Sequence, residues 1–345
     1  FVGILMNVEY LIIGGGISGR LLQSELMDRG HTAIVYDKLN DNQSTRVAAG
    51  LVNPVVGKYF TVGWRSDQYF PSLASYYQGL ETKLKARFFS SKPMKRIIAN
   101  AGEQNRWLSK AHLGKYNSFC SFSHEDIVGL NTSFGVLNIY LAGEMDTKSF
   151  LYACNKSLPT EPALFDYSIL DTDQKKYQNF SYNKIIFCEG YEAINNPYFN
   201  DYLKIIPTKG EIIEIRANGI PTDSIYLGPV FIQSLGNDLW RVGSTYEQNQ
   251  TSLEPTLMMK EELESRLKKI ITVPYELVNH YCGIRPASPD RKPVLGVHPQ
   301  INSIYIVNGM GSKAVSMAPL LVQEMADYME QGIPLPLEVD LKRFC

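Results

Sequence analysis

Residues 8–37 constrain the fold of this chain more than any other stretch. Val8 to Ile13 is an apolar, β-branched run of the kind that fills a buried parallel strand. It leads into Gly14-Gly15-Gly16-Ile17-Ser18-Gly19. Leu21, Leu22, Glu25, Leu26 and Arg29 then fit an amphipathic helix that Gly30 stops, and Thr32 to Tyr36 reads as a second strand ending at Asp37. This is a βαβ unit, and its crossover should be right-handed. Within Gly14-x-Gly16-x-x-Gly19, Gly14 permits a tight turn, Gly16 lets backbone approach a pyrophosphate, and Gly19 lets the helix pack close on the strand. The helix N-terminus offers free N–H groups and the positive end of its dipole to the anion. Asp37 stands 18 residues past Gly19, where a carboxylate accepts the hydroxyls of a ribose. The pattern predicts a dinucleotide site. By itself it does not choose between NAD and FAD, and a glycine-rich structural turn is the plain alternative.

Composition removes several classes. The chain has 345 residues, 44% hydrophobic and 20% charged, ample for a core without metal or disulfide support. A formal charge of −1 argues against a generally basic nucleic-acid binder. No apolar run approaches the roughly 20 residues of a membrane span. The five cysteines include no C-x-x-C pair and the five histidines lie far apart, so no metal site is expected. Phe1 to Leu5 reads as a remnant ahead of a natural start at Met6, with no basic segment before it, and this sets the expectation of a cytoplasmic protein.

Helices are expected over 64–90, 148–157, 258–271 and 314–330 from three- and four-residue apolar spacing, and strands over 163–189, 205–246 and 303–308. Strand–glycine–helix units at both ends enclose a β-rich middle. The fold class expected is therefore α/β (α+β): a discontinuous Rossmann-like FAD-binding domain with an inserted antiparallel-sheet substrate domain. The boundaries are 6–70, 146–206 and 284–345 for the first, 71–145 and 207–283 for the second.

Four further segments follow the fingerprint in order: Ser44-Thr45-Arg46-Val47-Ala48-Ala49-Gly50-Leu51-Val52-Asn53-Pro54; Ile185 to Gly190; Arg241 to Glu247; and Gly283-Ile284-Arg285-Pro286-Ala287-Ser288-Pro289-Asp290 leading to Gly309-Met310-Gly311-Ser312-Lys313. Together these resemble the D-amino-acid-oxidase-like family of FAD-dependent oxidoreductases. That family includes glycine and sarcosine oxidases and the oxidase half of the bifunctional enzyme that modifies wobble uridine in bacterial tRNA. The resemblance covers roughly residues 8–330. It implies non-covalent FAD held by Gly14, Gly16, Gly19, Asp37, Lys38, Thr45, Ala49, Gly50, Leu51, Ile169, Gly190, Gly309, Gly311, Ser312 and Lys313. Ala48, Ala49 and Gly50 are small enough for backbone to lie against a flat ring. Ile169, in an earlier strand, resembles an adenine-side backbone contact. The absence of a C-x-x-x-x-C pair and of a second G-x-G-x-x-G argues against a disulfide reductase.

The implied activity is hydride transfer to flavin from the carbon of a small amine or amino acid, then imine hydrolysis, with oxygen as acceptor giving hydrogen peroxide. Arg285, Lys313 and Tyr246 are the candidate catalytic residues. A guanidinium holds a carboxylate through two parallel hydrogen bonds. The plain alternative for Arg285 is a structural pairing with Asp290 or a backbone carbonyl. Lys313 faces substrate or is solvated at a helix start, and Ala314 departs from the Gly usual after that position. Tyr246 and Phe231 are aromatic walls or core.

Residues 83–115 carry nine Lys or Arg and one acid, Glu103, with Phe88, Phe89 and Trp107 interleaved. This makes tRNA a second candidate partner, through phosphate contacts and stacking. A solvated helix face over an aromatic core is the alternative. A non-catalytic flavin-binding protein is the third reading, and the oligomeric state is left open.

Overall fold

The computed structural model describes residues 5–39 and 44–345; Phe1 to Ile4 of the expected remnant, and residues 40–43, lie outside them. The elements that build the site are β1 (Met6–Ile13), α1 (Ile17–Asp28), β2 (Ala33–Tyr36), α2 (Ser66–Leu84), β3 (Phe180–Phe187), β4 (Ile206–Arg216), β5 (Glu276–Ala287), β6 (Val294–Val297), β7 (Ile304–Asn308) and α3 (Ala314–Gln331).

The first sheet has the order Thr160–Glu161, β2, β1, β3, β7, β6. Its strands run parallel from Thr160–Glu161 to β7; β6 pairs antiparallel with β7, and the short strand Lys176–Tyr177 pairs antiparallel with β3. Leu11, Ile12 and Ile13 of β1 and Ile185, Ile186 and Phe187 of β3 are buried on both faces, as a sheet covered on two sides requires. One face packs on α1, α2 and α3 through Leu21, Leu22, Tyr77, Leu321 and Val322. The other is filled by Tyr36, Tyr177, Phe187 and Phe199.

The second sheet takes its strands from 94–139 and 206–287 and has nine, antiparallel except where Ile225–Leu227 runs parallel to Met94–Ile97. β4 lies between Leu239–Gly243 and β5, paired with the latter from Ile206↔Ala287 to Arg216↔Glu276. The helix Leu257–Leu267 covers one face with Leu263 and Leu267. This mixed α/β architecture is the expected class: a parallel sheet with a mainly antiparallel one inserted.

A boundary after residue 70 would cut α2 in two. The helix runs on to Leu84 and packs as a whole on the same core as α3, because Tyr69, Phe70, Leu73, Tyr77, Leu80 and Leu84 share one apolar face. Tyr77 ties the two helices directly, its hydroxyl donating to the Val315 carbonyl at 2.6 Å. Among the described residues no helix is long and apolar enough to cross a membrane.

Candidate functional site

The site grows from the turn after β1. Gly14 has φ +103°, and a Cβ there would meet the Cys188 carbonyl at the end of β3. A Cβ on Gly19 would overlap the Gly14 carbonyl, so the first turn of α1 sits directly on the loop. Gly16 precedes α1 without a side-chain cap, and Thr45 Oγ1 takes the Ile17 N–H at 3.1 Å. Asp37 ends β2 with its carboxylate against Gly15, and its own N–H bonds the Glu161 carbonyl at 3.0 Å.

These groups open onto a cavity of about 570 Å³ between the two sheets. From the first sheet it is lined by Gly14, Gly16, Asp37 and Gly190, and from the second by Gly210, Ile212, Phe231 and Arg285. The segment 44–51 forms one wall with Thr45, Ala49, Gly50 and Leu51. Gly50 has φ +68° and sits so close to the Met145 carbonyl that no side chain fits. Gly311, Ser312 and Lys313 form the wall at the start of α3.

Four residues named from sequence do not line the cavity. Gly19 acts through packing, as described. Gly309, at φ +74°, closes the turn after β7 against Val294. Tyr246 is 52% exposed and reaches the site only through Arg285, whose guanidinium lies 5.9 Å from its ring. Ile169 needs correction: it lies in the short helix Tyr167–Ile169 rather than a strand, and is 49% exposed. Ala163, Leu164, Phe165 and Tyr167 take its place along the cavity. The chain turns there because the Asp166 side chain accepts the Ser168 N–H at 2.9 Å. Lys38 lines the cavity but is ion-paired with Glu192.

Two residues escaped the sequence reading. Gln233 is buried and donates to the Ala49 carbonyl at 3.0 Å and to Glu144 at 2.9 Å, fixing the 44–51 wall from the second sheet. Glu189 faces the cavity beside Gly190, bonded to the Tyr167 hydroxyl and to Asn196 at 2.8 Å. Burial pushes its carboxyl up to about 7, against the two hydrogen bonds that favour the charged form. Glu189 stands within the segment Ile185 to Gly190, but that segment gives a role only to its glycine, and no motif marks Gln233.

Arg285 rises from β5 beside Gly210, where a Cβ would overlap its guanidinium. It donates to Ser244 Oγ at 2.6 Å and to the Thr245 carbonyl at 3.3 Å. Asp290 is not its partner, being held by Arg343 at 2.9 Å. Desolvation lowers the Arg285 pKa, and nothing but Tyr246 opposes it.

The residues suit a flavin dinucleotide: uncapped N–H groups and Cβ-free turns for the pyrophosphate, a carboxylate at the ribose position, and a wall of small residues for the ring. The family model for FAD dependent oxidoreductases (DAO) matches residues 166–328. Over those residues the chain matches the DAO family of FAD-dependent oxidoreductases. Its cofactor is FAD. Among DAO relatives, the uncharacterized oxidoreductase YurR of Bacillus subtilis is 24% identical over 92% of this chain and 94% of its own. The tRNA 5-methylaminomethyl-2-thiouridine biosynthesis bifunctional protein MnmC of Polaromonas naphthalenivorans is 31% identical over 29% of this chain and 17% of its own length. The crystal structure of glycine oxidase from Geobacillus kaustophilus superposes with a TM-score of 0.79 at 17% identity, covering 96% of this chain and 97% of that one.

The basic stretch is largely neutralised by the fold. Lys83 pairs with Asp28 at 2.6 Å, Lys92 with Glu144 at 3.1 Å, Lys95 with Glu125 at 3.0 Å, Arg87 with Glu81 at 3.2 Å and Arg96 with Glu103 at 3.6 Å. Phe88 and Trp107 are core. Of the rest, Arg106 and Lys110 join Lys58 at the tip of the hairpin 55–62, and Lys115 lies over the Tyr116 ring. Lys58 and Arg106 flank the Tyr59 ring at 5.1 and 5.3 Å, and Lys110 donates to the Tyr59 carbonyl at 2.6 Å.

Proposed function

We propose that this chain oxidises the C–N bond of a small amine or amino acid bearing a carboxylate, with oxygen as the acceptor. The observation that carries the reading is Arg285: a guanidinium enclosed at the cavity, bonded only to neutral groups. An enclosed cation without a counter-charge is costly, and a substrate carboxylate supplies that charge. Bound FAD supplies a two-electron acceptor that takes hydride from the substrate carbon and passes the electrons to oxygen as hydrogen peroxide. Arg285 fixes the carboxylate, Ser244 and Thr245 hold the guanidinium, and Phe231 and Ile212 exclude water from the carbon bearing nitrogen. The resulting imine hydrolyses to a carbonyl compound. No dedicated base is required when the amine binds neutral. On this reading the parallel sheet and its helices hold the cofactor, and the mainly antiparallel sheet contributes the substrate side.

The test is an anaerobic absorbance scan of the holoenzyme with glycine, sarcosine and D-alanine in turn. Bleaching by one of them, with KM raised about a hundredfold in Arg285→Ala at unchanged FAD content, supports the reading. Resistance to every carboxylate-bearing amine overturns it.

A second reading places the amine on a tRNA wobble uridine. It is supported by the patch around Tyr59, which is 54% exposed between cations that no acid among the described residues pairs, on a hairpin whose base, Asn53 and Val56, lines the cavity. Its test is filter binding of bulk tRNA. Salt-sensitive, roughly micromolar affinity abolished by Arg106→Glu with Lys110→Glu supports it, and no binding at low salt ends it.

A further inference from the structure

The cavity wall at Ala48-Ala49-Gly50 is held by its carbonyls. The Ala48 carbonyl accepts the Thr147 hydroxyl at 3.3 Å, the Ala49 carbonyl the Gln233 amide at 3.0 Å, and the Gly50 carbonyl the Met145 N–H at 2.9 Å. A trans peptide points its N–H opposite to its C=O. Ala49 and Gly50 line the cavity, and Gln233 stands behind them. The peptide joining the two therefore turns its carbonyl outward and the Gly50 N–H inward. Neither the Ala49 nor the Gly50 N–H has a hydrogen-bond partner among the described residues.

Gln233 is 4% exposed and belongs to the strand Phe231–Gly236 of the second sheet. Its amide nitrogen spends one hydrogen on Ala49 and the other on Glu144, at 2.9 Å. Both partners are acceptors only, so the nitrogen and not the oxygen must face them. Gln233 Oε1 is left buried without a partner, a cost the fold bears to keep a donor on Ala49. Glu144 fixes the orientation of the amide, and Lys92 fixes Glu144 at 3.1 Å. A carbonyl that accepts a hydrogen bond polarises its peptide and strengthens the N–H at the other end as a donor. A donor fixed before the reaction stabilises the negative charge that a hydride brings to the ring.

We propose that Gln233 is a positioning residue for the bound FAD. Through the Ala49 carbonyl it aims and polarises the Gly50 N–H toward the flavin, and so raises the flavin reduction potential. The inference concerns the cofactor alone and holds whichever amine is oxidised.

The experiment measures the two-electron potential of FAD in the holoenzyme against reference dyes. Gln233→Met, which keeps the length of the side chain, should lower the affinity for reduced FAD relative to oxidised FAD about tenfold, a fall in potential of about 30 mV. Gln233→Asn is polar but one methylene too short to reach Ala49, and it should lower the ratio in the same way. A fall beyond about threefold in both variants supports the proposal. A ratio within about threefold of wild type in either FAD-loaded variant overturns it, even where the melting temperature drops, because a packing residue would move stability and leave the potential alone. Loss of the fold or of FAD in both variants marks Gln233 as structural and overturns it too.

Discussion

Gly210 on β4 and Arg285 on β5 are packed so tightly that a Cβ on the glycine would occupy the place of the guanidinium. The two strands pair Gly210 with Gly283 and Thr208 with Arg285, so the side chain of Arg285 lies back across the bare backbone of Gly210. The absence of a side chain at 210 sets where the cation can stand.

Gly210→Ala should therefore push Arg285 out of position. The expected result is a rise of about ten- to a hundredfold in KM for a carboxylate substrate, with FAD content unchanged. Steady-state kinetics beside the flavin absorbance ratio check it. An unaltered KM would mean the arginine does not hold the substrate.

Gly19→Ala places a methyl on the Gly14 carbonyl and forces α1 away from β1. Overpacking of this kind costs about 1–3 kcal/mol, and the displaced helix start should lose FAD. Thermal unfolding and flavin retention on a desalting column measure both effects.

Glu189 makes the apo-protein pH-dependent in a definite direction. Its folded-state pKa is raised to about 7 from an ordinary 4.5, chiefly by burial. The folded state therefore holds a proton that the unfolded state has released, and stability falls as pH rises from near 4.5 to near 7, by on the order of 1–3 kcal/mol, and then levels. Ionised Glu189 also repels a pyrophosphate, so FAD affinity should weaken across the same window. Glu189→Gln should flatten both profiles. Melting curves and FAD titrations between pH 5 and 8 decide the matter.

Glu211 is buried on the other face of β4, 2.8 Å from Lys209 Nζ and 2.7 Å from His280 Nε2. Its carboxylate also accepts the Thr256 N–H at 3.0 Å, while its backbone N–H donates to Thr245 Oγ1 at 2.8 Å. It pins both ends of the loop that supplies Ser244 and Thr245 to Arg285. Glu211→Ala strands a buried lysine and should cost about 3–5 kcal/mol. Glu211→Gln, which keeps the Thr256 bond, should unfold less readily than Glu211→Ala and raise KM more than it lowers kcat. Denaturant melts and a KM-against-kcat comparison test this.

The βαβ unit at residues 8–37 was legible because its signals are local: apolar runs of strand length, glycines at turn positions, and an acid one strand later. The helices at α2 and α3 followed from apolar spacing, although the extent of α2 did not reveal which sheet it would cover. The 163–170 stretch was misread because a single Asp166 turn, invisible to strand propensity, moved the cavity contact to residues 163–165 and 167. Gln233 carries no motif, Glu189 lies in one that marks only its glycine, and their neighbours across the fold give both a role.

Sequence by itself determined the dinucleotide-binding frame and the order of its supporting segments, since periodicity and turn chemistry act between residues close along the chain. Tertiary structure decided which charges remain free. Arg285 lost Asp290 to Arg343, and Lys92 and Lys95 found Glu144 and Glu125. Those pairings join residues tens of positions apart, and an ion pair forms only where packing brings two side chains within a few ångströms.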